Sequence, residues 1–103
     1  MKRMLITAGA CALIGFVVAA QAAGDVQAGK AKAGACAGCH GANGQGIAPN
    51  PALAGKSEAD IVQALNDYKS GKRVNPIMKT FAGQLSDQDM ANVAAYFSSL
   101  KAK

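Results

Sequence analysis

Cys36, Cys39 and His40 fall within five consecutive residues, Cys36-Ala37-Gly38-Cys39-His40, and the surrounding stretch ACAGCHGANGQG (35–46) carries four glycines. On a helix, positions i, i+3 and i+4 share one face, so this spacing points two thiols and an imidazole the same way. C-x-x-C-H is the attachment pattern for a c-type haem. Two thiols can add across the two vinyl groups at one edge of the macrocycle while the imidazole rises beneath the iron. Rival chemistries ask for more than the chain offers. A structural zinc site needs four ligands, and the third cysteine, Cys11, lies in the N-terminal apolar segment while His40 is the single histidine. A thioredoxin-like pair wants a βαβ setting, which the pattern lacks. A Cys36–Cys39 disulfide closes too short a loop to stabilise much.

With haem as the reading, composition narrows the second axial ligand. One histidine excludes bis-histidine ligation within the chain. Met1 and Met4 belong to the N-terminal segment, which leaves Met78 and Met90. Met90 falls on an apolar helical stripe, where methionine usually fills core. Met78 follows Asn75-Pro76 in what reads as a loop, where a rigid turn can direct a thioether at the iron, so Met78 is favoured for a His/Met haem. An open sixth position is the remaining alternative.

These groups need elements to hold them. Residues 1–22 read as a cleaved export signal: Lys2 and Arg3, an uncharged apolar run from Leu5 to Ala20, then the small-x-small Ala20-Gln21-Ala22. The run is short of the ~20 apolar residues of a spanning helix. Residues 23–103 then form one domain. Removing Lys2 and Arg3 from the eleven Lys and Arg leaves nine against six Asp and Glu, a charge of +3. That mild basicity suits acidic protein surfaces. Nucleic acid is not expected as a partner, since no dense basic stretch with interleaved aromatics is present. A domain this small, without Trp and rich in Ala, needs a staple such as a bound cofactor.

Three helices are expected, and no strand, so the class is all-α. The first runs from an Asp25 cap to about Ala37. The second starts at Ser57, with Asp60 at capping-box spacing, puts Ile61, Leu65 and Tyr68 on one face, and ends at Gly71. The third starts at Ser86, with Asp89 three residues on, and carries Met90, Val93, Ala94, Phe97 and Leu100 along a stripe. Lys101 and Lys103 complement its dipole. Between them, 41–55 and 72–85 read as loops long enough to wrap something.

The stretches AGKAKAGACAGCHG, PNPALAG, NPIM and LSDQDMANVAAYFSSL make the chain resemble a small bacterial class I cytochrome c from Gly24 to Leu100, similar to one domain of the dihaem periplasmic cytochromes. The resemblance implies three to four helices around one covalent haem c held by Cys36 and Cys39. It implies that the Pro51 carbonyl accepts from the far nitrogen of His40, which orients the ring, and that Leu53 lines the haem. It further implies that the first and last helices cross, with Gly29 against Tyr96 or Phe97. His40 and Met78 as iron ligands leave no position for substrate, which points to a periplasmic one-electron carrier and not an enzyme. The partners implied are redox proteins and, transiently, membrane respiratory complexes. Lys69, Lys72, Arg73 and Lys79 could form a basic rim for docking. Two alternatives stay open: a haem sensor or enzyme with a free sixth site, and a haem subunit of a larger dehydrogenase.

Overall fold

Asp25 begins the first helix by closing its own N-terminus: its carboxylate accepts from Gln27 N and Ala28 N. In the computed structural model, which describes residues 24–101, this is α1, Val26–Lys32. The helical path then tightens into a 3₁₀ turn over Ala33–Cys36 and relaxes into a short α2, Ala37–His40. The expected first helix is therefore present but changes pitch within it. α3 (Glu58–Ser70) is capped by Ser57 Oγ, which accepts from Asp60 N, and stops at Gly71. α5 (Asp87–Ser99) opens with a full capping box, Ser86 and Asp89 each accepting the other's backbone N–H. That bond from Ser86 N is the leading reason why the Asp89 carboxyl is held below its usual pKa, with Lys32 adding a smaller pull. No strand occurs among the described residues; Ile47 and Asn50 make one isolated bridge.

One expectation fails here. The segment 72–85 is not simply loop, because Pro76–Gly83 forms α4. Asn-Pro reads as a turn, but the same pair is also a helix start. Asn caps the free amides, and Pro at the first helical position brings a preset φ and no N–H to waste. Met78 thus sits in the first turn of a helix.

The core forms where α3 and α5 meet. Ile61 and Leu65 of α3 pack with Met90, Val93, Ala94 and Phe97 of α5, joined by Ala33 and Ala82. Met90 is 1% exposed, and full burial of such a side chain contributes about 1.5–3 kcal/mol. The stripe expected on the last helix is buried as predicted, with Leu100 only partly covered. Residues 1–22, Cys11 and Lys103 lie outside the described residues.

α1 crosses α5 so closely that two glycines are required at the contact. A Cβ on Gly24 would collide with the carbonyl of Ala91, and one on Gly29 with the carbonyl of Asn92, standing also 2.9 Å from Tyr96 Cβ. Asp25 N donates to Asn92 Oδ1 at 2.8 Å and pins the same crossing. The crossing partners of Gly29 are therefore Asn92 and Tyr96, while Phe97 turns towards the glycine loop described below. The colliding atoms belong to helix backbone and have nowhere to go. Gly29→Ala is expected to cost about 1–3 kcal/mol, measured as a lowered urea midpoint of the haem-loaded protein. Gly34→Ala, where an added Cβ meets nothing within 4 Å, should leave the midpoint unchanged.

Candidate functional site

The 3₁₀ turn and α2 set the three attachment residues to different depths. Cys36 is half-buried against the core, Cys39 is exposed, and His40 is buried at 7% exposure. Both cysteines are free thiols. Burial pushes the Cys36 thiol above its usual pKa, and the neighbouring Cys39 adds to the rise.

The loop 41–55 then wraps back over His40. Gly46 N donates to the His40 carbonyl at 2.7 Å. His40 Nδ1 lies 2.8 Å from the carbonyl oxygen of Pro51. A carbonyl can only accept, so Nδ1 carries the proton and, in the neutral ring, Nε2 keeps its lone pair. An imidazole so arranged is a metal ligand with its orientation set. The loop itself turns on Gly44, which has φ +66°. The carbonyl of Gly44 accepts from both Leu53 N and Ala54 N, at 2.8 and 2.9 Å, and a Cβ there would strike the Phe97 ring. Gly55 N closes the loop onto Phe97 O at 3.0 Å. Pro51 and Leu53 are thus held in place by the last helix.

Met78 and Leu53 are both half-buried and, with Cys36, rest against the same hydrophobic core. The rival Met90 is interior to that core. Apart from Val26 on α1, the exposed large apolar side chains among the described residues lie on the two segments that carry Pro51 and Met78. Ile47 is 48%, Ile77 63% and Val74 89% exposed, and Phe81 is also exposed. Two free thiols, an imidazole committed through Nδ1, a thioether and this uncovered apolar surface together fit a haem c. Cys36 and Cys39 would carry its thioethers, and His40 Nε2 would face the iron.

The basic residues divide. Lys69 Nζ donates to Leu85 O at 2.9 Å, tying α3 to the start of α5, and Arg73 lies over the Tyr68 ring at 4.8 Å. Lys72 and Lys79 are exposed, and neither makes an ion pair among the described residues. Sequence reasoning missed two asparagines. Asn50 Nδ2 donates to the Cys39 carbonyl at 3.0 Å, linking the loop to the attachment helix. Asn75 Oδ1 caps α4 beneath Met78. The Pro-Asn-Pro and Asn-Pro contexts mark both as rigid turns, without telling which amide each would meet.

A family model described as Cytochrome c matches residues 26–101. A cytochrome c4 from Pseudomonas aeruginosa is 48% identical over 89 residues, covering 85% of this chain and 44% of its own length. Cytochrome c-554(548) from Halomonas halodenitrificans is 43% identical over 81 residues, covering 75% of this chain and 98% of its own. The crystal structure of reduced cytochrome c4 from Pseudomonas stutzeri superposes with a TM-score of 0.73 at 40% identity, over 79% of this chain and 48% of that one. The chain therefore spans about half the length of the cytochromes c4 it resembles and nearly all of the shorter relative. Acid–acetone extraction of the loaded protein is expected to leave the haem with the polypeptide, and Cys36→Ala with Cys39→Ala to release it. Haem in the organic phase from the unmodified protein would contradict attachment through these thiols.

Proposed function

We propose, from the premise that this chain belongs to the cytochrome c family and holds haem c through Cys36 and Cys39, that it is a one-electron carrier in which His40 and Met78 are the axial ligands. When bound, the haem supplies a reversible one-electron couple. The chain's own residues decide that it does little else. The observation that carries this reading is the 2.8 Å bond from His40 Nδ1 to Pro51 O, which directs Nε2 away from the loop. Met78 offers a neutral thioether on the other ligand-bearing segment, and such a ligand favours the reduced state and raises the potential. Were His40 and Met78 both to hold the iron, no place on it would remain for a substrate, so the protein is read as a carrier and not an enzyme. Met90, at 1% exposure, has no route to a ligand position without opening the core.

Residues 1–22 fit an export signal, so the carrier would work in the periplasm; no helix among the described residues is long and apolar enough to cross a membrane. Its partners would be redox proteins, including membrane respiratory complexes, met at the face around Val74 and Ile77. There Lys72 and Lys79 supply positive charge beside exposed apolar side chains. A second reading, a haem subunit of a larger assembly, draws on the chain's match to about half of each cytochrome c4. It leaves the chemistry of the site unchanged.

Met78→Ala should abolish the long-wavelength charge-transfer band of the ferric protein, lower the potential, and let carbon monoxide bind the reduced form. Met90→Leu, a swap of similar volume, should cost under ~1.5 kcal/mol and leave the spectrum unchanged. The reverse pattern would move the ligand to Met90. For docking, electron transfer to an acidic redox partner should slow as salt rises, since exposed charges are screened beyond ~8 Å at physiological ionic strength. Lys72→Glu should slow it further. Rates indifferent to both would remove the basic face from the reading.

A further inference from the structure

Met78 has a flexible side chain with three rotatable bonds, on a helix that tertiary packing holds at one end. Ala82 is the buried residue of α4, while Pro76, Ile77, Lys79, Thr80 and Phe81 are all exposed. The preceding Val74 is 89% exposed. Ala82 is therefore the buried anchor of α4, and within its first turn only the Met78 side chain itself leans on the core.

That turn is closed by one residue. Pro76 has no N–H, so the first free amides of α4 belong to Ile77 and Met78, and both donate to Asn75 Oδ1 at 3.0 Å. The next amide, Lys79 N, donates to the backbone oxygen of Asn75 at 2.8 Å. Three successive amides, including that of Met78 itself, end on Asn75.

We propose that Asn75 is a positioning residue for Met78, fixing the backbone from which the thioether reaches the iron; this rests on the reading of Met78 as axial ligand. Without the carboxamide oxygen, Ile77 N and Met78 N lose their acceptor and the turn frays. The fraction of molecules with sulfur off the iron rises, and a competing ligand gains affinity in proportion to that fraction.

The test is an imidazole titration of the ferric, haem-loaded protein at fixed pH. Asn75→Ala should bind imidazole about fivefold more tightly, the factor that a lost side-chain cap is typically worth. Asn75→Asp, which keeps an acceptor oxygen, should return to within about twofold of the unmodified protein, as Asn and Asp cap comparably. Ser57→Ala removes the cap of α3 and should lower the urea midpoint without changing imidazole affinity, which separates ligand positioning from loss of stability. Met78→Ala sets the ceiling. If it binds imidazole tightly while Asn75→Ala matches the unmodified protein, the positioning role is overturned and the axial reading stands. If Met78→Ala itself matches the unmodified protein, the axial reading falls and takes this role with it. Should Asn75→Ala take up no haem, amide exchange in the unmodified protein decides. Protection of Ile77 N and Met78 N supports the role, and exchange at free-peptide rates overturns it.

Discussion

One bond, from His40 Nδ1 to the Pro51 carbonyl, ties the attachment helix to the loop that follows it. It settles the tautomer, leaves Nε2 as the available lone pair, and needs the loop 41–55 to return over the ring it has just left. Much of the middle of the chain serves that return. Gly44 reverses direction, Asn50 holds the Cys39 carbonyl, and Gly55 fastens the loop to Phe97. The tight crossing of α1 and α5 at Gly24 and Gly29 fixes the last helix in turn. Phe97 is carried on α5, so the position of the loop follows from the position of that helix.

The second constraint is size. The buried core is three alanines and five larger side chains, with Phe97 the bulkiest of them. A small domain with so modest a core gains from a staple, and Cys36, Leu53 and Met78, all leaning on that core, are placed where a covalent haem would be one.

What could be read from the residues, and what could not, divides along local and non-local interactions. Helix starts were legible wherever a short polar side chain meets an amide three residues on: Ser57, Ser86 and Asp25 all do what their types suggest. The attachment motif was legible because its spacing is itself the geometry. α4 was missed because Asn75-Pro76 serves equally as turn and as helix start, and only the fold decides between them. The partner of Gly29 was half-legible. Glycine announces a close approach but not which turn of the opposing helix it meets, and Asn92 with Tyr96 took the place that Phe97 would have had. What the basic residues would touch was not legible, since a lysine or arginine in sequence does not reveal that it will also tie down a carbonyl, as Lys69 does, or cover a ring, as Arg73 does.

An electron carrier should change as little as possible between its two states, and the structure meets that requirement with fixed parts: a ring held by a carbonyl, a thioether on a capped helix, and a loop stitched to the last helix. The most direct measurement is an equilibrium redox titration of the loaded protein followed by its optical spectrum. One haem with two permanent protein ligands should give a single reversible wave with a slope of about 59 mV per decade, with low-spin spectra at both ends of the titration. A two-electron slope, or a reduced form whose spectrum is high-spin and five-coordinate, would contradict a His40/Met78 electron carrier.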